Sequence, residues 1–496
     1  MDSITIDNRV IGAGAPVYVV AEISANHNQS LERATELIRA AADCGANAVK
    51  IQTYTADTLT IDCNSDGFLI ASDSPWAGKT LYELYREAYT PWEWHPELIA
   101  TARRCGITIF SSPFDTTAVD FLEQLDIPAY KIASFELVDI PLLQRVAETG
   151  KPVIVSTGMA SKAEVHEAVH TLRTHGSNIV LLKCTSSYPA SVDEMHLRTI
   201  PEMRDEFSLN IGLSDHTLGF LAATSAVALG ACMIEKHLTL RRSDGGPDSG
   251  FSMEPHEFRE MVNNIRQVER SLGKCVYGGS DDERKNLVFR RSLYAVRDIE
   301  EGERFTLENI RSIRPAHGLH PRYLPALLGR KATRSLNRGT PLTWSAVDST
   351  LFLRAATPAD GDLLLAWRND PDTRRNSHTN APVTANEHQR WLATSLATAS
   401  RRLFIAEDAG VPVGSVRADL GHDYCELSWT VAPKARNKGF GKKMVLTAAQ
   451  KIGGCMKAQI KEGNDASVSI ARAIGLHLDE IRDGVMYFSG HVDRAD

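Results

Sequence analysis

The chain carries no C-x-x-C pair among its eight cysteines, few aromatic side chains (7%) and no excess of positive charge. Scattered cysteines in a long, core-rich chain need no disulfide framework, and read as reduced thiols of a cytoplasmic protein. A formal net charge of -7 leaves no basic footprint for nucleic acid. The first ten residues, MDSITIDNRV, lack a basic stretch followed by an apolar run, so no signal peptide is expected. Leu218 to Ile234 is uncharged and approaches the length of a membrane span. Glycine and small polar residues interrupt it, and it reads as a buried helix running into a buried strand, with no membrane contact. What remains is ordinary globular composition, 43% hydrophobic and 24% charged over 496 residues, enough for about two to four domains.

The first 240 residues alternate short β-branched runs with amphipathic stretches. The runs are Val17–Ile23, Ala48–Tyr54, Ile107–Ser112, Ala129–Ser134, Pro152–Gly158, Ile179–Ser187, Asn210–Thr217 and Met233–Leu238. Between the first two, Leu31, Ala34, Leu37 and Ile38 fall on one helical face. Eight such units suggest a (β/α)8 barrel over about residues 1–280, with an open doubly wound sheet as the alternative. Residues 281–350 change to strand-like SLYAVRDI and RKATRSLNRGTPLTW among polar turns, which suggests a small β-rich module. Residues 351–496 change again. A strand, a helix near Asp360, a hairpin turning at Ala409-Gly410, the strand ELSWTVAP and a following helix suggest an α+β domain.

Barrel chemistry sits at strand C-terminal ends. Polar residues collect there: Glu22, Lys50, Gln52, Ser112, Lys131, Ser134, Ser156, Ser186, Ser214, His216, Glu235 and His237. Side chains two apart on a strand face the same way, so Lys50/Gln52, Ser214/His216 and Glu235/His237 share faces. His216 and His237 end successive strands. They are either a divalent-metal pair or two structural histidines bonded to backbone. The lysines and hydroxyls suit a phosphate and a carboxylate, or are solvated strand ends.

The motifs AEISANHNQS, AVKIQTY, PAYKIASFE, VSTGM, LKCTSSYP, GLSDHTLG, EKHLTL and GGPDSGFSMEP, in that order, closely resemble the sialic acid synthase family over about residues 1–350. YTPWEWHPEL, FSSPFDTTAVDFLE and IRSIRPAHGLHPRYL resemble its pseudaminic acid synthase branch. The resemblance implies a TIM barrel followed by an antifreeze-like (SAF) domain. It also implies condensation of phosphoenolpyruvate with an amino sugar to a nonulosonic acid. His216 and His237 would bind Mn2+ or Mg2+, and Lys50, Ser112, Lys131, Ser134, Ser156 and Ser214 would hold phosphoenolpyruvate. Glu22, Gln52, Glu136 and Asp248 would act on the reacting carbons, while Tyr188 and Ser186 would face the sugar. Arg314 would reach the sugar across a domain-swapped homodimer. Ser186 and Ala316 depart from the family, which usually carries Asn and Gly there. A neuraminate or legionaminate synthase is the alternative.

In the third region, Arg436-x-x-Gly439-x-Gly441 lies between a strand and a helix, and Asn464 follows. Glycines at a helix N-terminus let backbone N–H groups approach a pyrophosphate, although an ordinary glycine turn has the same pattern. The arrangement resembles the GNAT acetyltransferases. It implies acetyl-CoA bound by Arg436, Gly439, Gly441 and Asn464, and an amino-sugar acceptor. Tyr487 is a candidate acid for the departing thiolate, or a core tyrosine. A non-catalytic appendage is the alternative for this domain.

Overall fold

The computed structural model describes residues 3–12, 14–70 and 76–494. Two compact units form, divided between Cys275 and Val276. The first opens with a hairpin of β1 (Ile4–Ile6) and β2 (Arg9–Ile11). Eight parallel strands follow: β3 (Tyr18–Glu22), β4 (Ala48–Thr53), β5 (Thr108–Pro113), β6 (Tyr130–Ile132), β7 (Val153–Ser156), β8 (Ile179–Cys184), β9 (Asn210–Asp215) and β10 (Met233–His237). They close into a barrel as β10 pairs with β3. The eight runs read from the sequence are these eight strands.

Alternation along each strand builds two cores. Val19, Val49, Ile109, Ile132, Val155, Leu181, Leu213 and Ile234 point outward and pack on the helices. Tyr18, Val20, Ala48, Phe110, Ala129, Ile154, Val180, Leu182 and Met233 fill the inside. Ile4, Ile6 and Ile11 join that inner cluster, so the hairpin plugs the barrel at the strand starts. Nothing in the sequence reading anticipated this plug. With the lower barrel filled by apolar side chains, the same inward parity at the other end is left for polar groups. The uncharged segment after Leu218 forms a helix, Leu221–Ala228, and then β10. Among the described residues no helix is long and apolar enough to cross a membrane.

The second unit holds the small β module and the α+β domain together. β11 (Ser292–Ala295) pairs with β12 (Ile310–Ile313). The stretch RKATRSLNRGTPLTW, expected as a strand, contributes only single bridges such as Ile299–Leu336 and Ala332–Val347. Its Gly339 at positive φ and polar turns interrupt any longer ladder. The α+β domain is a seven-stranded sheet of β13 (Leu351–Ala355), β14 (Arg401–Asp408), β15 (Val411–Leu420), β16 (Cys425–Val431), β17 (Gly454–Lys461), β18 (His477–Arg482) and β19 (Val485–Val492), with β18 at the edge beyond β19. The expected hairpin turns at Ala409 and Gly410, both at positive φ. Trp344 of the small module stacks on Phe352 of β13 at 5.2 Å, and Tyr323 packs edge-on to both rings. This aromatic triad joins the two modules within the second unit.

Candidate active site

The C-terminal ends of the barrel strands surround a cavity of about 670 Å³. Glu22, Lys50, Gln52, Lys131, Ser134, Glu136, Ser156, Ser186, Tyr188, Ser214, His216, His237 and Asp248 all line it. With Glu235, fourteen residues named from strand-end spacing and motif resemblance therefore converge on one space.

The floor is a buried network of charge. Lys50 Nζ lies 2.7 Å from Glu22 Oε2 and 2.9 Å from Glu235 Oε1. Lys131 Nζ lies 3.5 Å from the same Glu235 oxygen, and Ser214 donates to it at 3.0 Å. Burial alone would raise the Glu235 pKa, but Lys131 and Lys50 together hold this carboxylate well below its ordinary range. Burial, with Lys131 adding to it, draws Lys50 down to about 7. Glu235 thus anchors both cations. It was noted in the sequence only as an inward strand-end charge sharing a face with His237, and it was given no role there.

The cavity walls also hold side-chain atoms without partners. Among the described residues Ser156 Oγ, Glu136 Oε2, Glu235 Oε2 and His237 Nδ1 are buried and make no hydrogen bond. Buried polar atoms in native proteins are nearly always satisfied, so this concentration marks a ligand position. Burial pushes Glu136 up to about 7. Burial also raises Asp248, whose Oδ2 accepts from the Ala25 N–H at 3.4 Å. Gly158 donates its N–H to Ser134 Oγ at 3.1 Å. A Cβ at Gly158 would sit 2.1 Å from Ser186 Oγ, so only glycine lets these hydroxyls close round one point.

His216 and His237 have ring centroids 5.4 Å apart. The Thr185 carbonyl lies 3.0 Å from His216 Nδ1. A carbonyl accepts, so Nδ1 carries a proton, and although burial opposes it the adjacent Cys184 draws the His216 pKa above its usual value. Burial and the neighbouring His216 push the His237 pKa well below its usual value, which keeps that ring neutral. Two adjacent imidazoles with free nitrogens suit a divalent cation with open positions. Among the described residues no group of three or more His, Cys, Asp or Glu is placed to hold one, so substrate or water would complete the shell. Tyr188 packs on His216 at 4.3 Å and on Phe251 at 5.2 Å, fixing the rings from one side.

Two predicted residues lie elsewhere. Ser112 is buried at the end of β5 and does not line the cavity, where Phe114 from the same segment does. Arg314 belongs to the second unit and lines a groove there with Phe289, Arg290, Arg291 and His320. Cys184, Tyr54 and Phe251 line the cavity but were not picked out; Cys184 shares the inward parity of β8, which was the available signal.

In the α+β domain β16 and β17 run parallel and pair only at Cys425–Met456 and Glu426–Lys457. Beyond that they separate, leaving a notch in the sheet. Gly439, at φ 79°, precedes the helix Phe440–Ile452. A Cβ at Gly441 would meet Ile470 at 2.6 Å, so glycine there serves close helix packing. Arg436 pairs with Asp370 and, at 3.2 Å, with Asp372. Asn464 accepts from the Ser467 N–H and caps the helix Asp465–Ala473. Tyr487 lies on β19 beneath the Arg482 guanidinium. A second cavity of about 670 Å³ occurs in this domain, with Trp367, Trp391, Trp429, Arg368 and His388 in its walls and none of the five predicted residues.

The fold and site define a (β/α)8 barrel that carries two buried lysines and a set of serine hydroxyls beside two histidines. The NeuB family model matches residues 37–277, the SAF domain model 290–348 and the acetyltransferase (GNAT) domain model 350–477. The chain is 45% identical over 327 residues to the pseudaminic acid synthase of Campylobacter jejuni, covering 66% of this chain and 95% of that one. It is 42% identical over 344 residues to the pseudaminic acid synthase of Helicobacter pylori, covering 68% and 99%. The N-acetylneuraminic acid synthetase structure from Leptospira borgpetersenii, a citrate complex, matches with a TM-score of 0.52 at 31% identity, covering 58% of this chain and 95% of that one. The chain belongs to the NeuB family, with a GNAT domain following its SAF domain.

Proposed function

We propose that the barrel is a pseudaminic acid synthase. It condenses phosphoenolpyruvate with 2,4-diacetamido-2,4,6-trideoxy-L-altrose and releases phosphate by C–O cleavage. The observation that carries this reading is the convergence of two buried lysines, partnerless Ser156 and Glu136, and paired imidazoles on one cavity. The pseudaminic acid synthases among its relatives support the choice of acceptor.

Lys50 and Lys131 offset the charge of the phosphate and carboxylate, and Ser134, Ser156 and Ser214 orient them. C3 of phosphoenolpyruvate attacks the aldehyde carbon, and positive charge develops at C2. Ionised Glu136 stabilises that charge. Water adds at C2 and the C2–O bond breaks, so the bridging oxygen leaves with phosphate. His216 and His237 would hold Mn2+ or Mg2+, which when bound supplies Lewis-acid polarisation of the aldehyde oxygen. Phosphoenolpyruvate labelled with oxygen-18 in its C2–O–P bridge tests the reaction. The label should appear in phosphate, and its retention in the sugar acid rejects C–O cleavage.

The second unit we read as an acetyl-CoA-dependent N-acetyltransferase acting on an amino-sugar intermediate. The notch between β16 and β17 and the glycines opening the next helix support that reading. Arg314 and the exposed Phe289 beside it support a role for this unit at the sugar site of a second copy, in a domain-swapped homodimer. The scattered free thiols fit the cytoplasm.

A further inference from the structure

The barrel cavity is polar on its floor and apolar on one side. The floor comes from strand ends. The side comes from the long connection between β4 and β5, whose Leu59, Leu69, Ile70, Leu81, Leu84 and Trp76 form an apolar stretch, with Tyr85 and Ala88 lining the cavity beside them. None of the six is charged. The one hydrogen-bonding side-chain group among them, the Trp76 indole N–H, donates to the Pro247 carbonyl at 2.8 Å. Leu69 is 50% exposed, yet it is not loose: it bridges Thr80, and the next N–H, of Ile70, donates to the Lys79 carbonyl at 3.0 Å. Large aliphatic side chains held open at a cavity call for apolar groups on the ligand.

We propose that this wall reads the methyl groups of the acceptor. It selects a deoxy sugar decorated with acetamido groups over one with hydroxyls at C4 and C6. The inference rests on the synthase reading and adds the residues that set its specificity. A C6 methyl or an acetamido methyl against these leucines loses only apolar surface to burial. A hydroxyl against the leucines loses its water and gains no hydrogen bond from them. Swaps of this kind change kcat/KM by roughly 10 to 100-fold per position.

The test is steady-state kinetics of the full chain with phosphoenolpyruvate and either 2,4-diacetamido-2,4,6-trideoxy-L-altrose or N-acetylmannosamine. The deoxy acceptor should be favoured by about 100-fold in kcat/KM. Leu69→Gln and Leu81→Gln, both at the cavity surface, should each narrow that ratio about tenfold while the KM for phosphoenolpyruvate stays unchanged. Equal kcat/KM for the two acceptors overturns the wall and leaves the synthase standing, because condensation still occurs. An unchanged ratio in both variants does the same. Condensation with neither acceptor overturns the synthase reading, and this inference with it.

Discussion

The barrel mouth and the α+β domain each enclose a cavity of about 670 Å³, and they are lined in different ways. At the mouth, function rests on side chains. Lys50, Lys131 and Glu235 are buried charges fixed by strand parity, and each depends on the others for its solvation. In the α+β domain the motif residues support the backbone instead. Gly441 allows one helix to pack, Asn464 caps another, and Arg436 ties the loop to Asp370 and Asp372. A site made of buried side chains fails when one partner is removed. A site made of backbone N–H groups tolerates many side-chain changes and fails when the chain path moves.

The largest expected effect is at the barrel. Lys236 and Asp215 form an ion pair 2.8 Å apart with side chains 1% and 0% exposed, behind the strands that carry His237 and His216. Lys236 also donates to the Thr217 carbonyl. Lys236→Ala leaves a buried carboxylate unpaired and should cost about 3–5 kcal/mol. Urea unfolding followed by barrel fluorescence measures it, with acetyl-CoA binding retained as the contrast. A loss under about 1 kcal/mol would mean that the pair contributes no more than a surface bridge.

Next comes the backbone-built domain. Gly441→Ala forces a methyl against Ile470 and Val431 and should destabilise this unit by about 1–3 kcal/mol. Condensation at the barrel should hold near its original rate. If stability were unchanged by thermal melting, the close helix packing would not be what requires glycine.

A third outcome concerns pH. Glu136, raised to about 7 by burial, gains its charge as pH rises through 7, and Lys50, lowered to about 7, loses its charge over the same range. The kcat/KM for condensation should therefore fall on both sides of neutrality, approaching tenfold per unit at the extremes. Glu136→Gln should remove the acid limb and keep the alkaline one. A profile flat from pH 5 to 9 argues against both assignments. The smallest effect is Asn464→Ala, which removes a helix cap at a cost of about 1 kcal/mol in calorimetric melting. A larger loss there, or a large loss of acetyl-CoA affinity without one, would give Asn464 a ligand role beyond its cap.

Much of the barrel was legible because its signal is local and repeated. Eight apolar runs specify eight strands, and a period of two decides which residues share a face. Polar residues at the strand ends had to meet at one end, and eleven of the twelve named there line the cavity. Ser112 is buried at the end of its strand without lining the cavity, because parity fixes the direction of a side chain and not its depth.

Sequence alone therefore determined the barrel, the order of modules and the polar set at the strand ends, since alternation and motif spacing are properties of neighbouring residues. Tertiary structure decided the rest. It set Glu235 between two lysines, brought a hairpin to plug the barrel, turned Arg436 toward two aspartates and gathered leucines of the long β4–β5 connection into one wall. Those outcomes depend on which distant segments are packed together, and burial then fixes the charge and partners of each group.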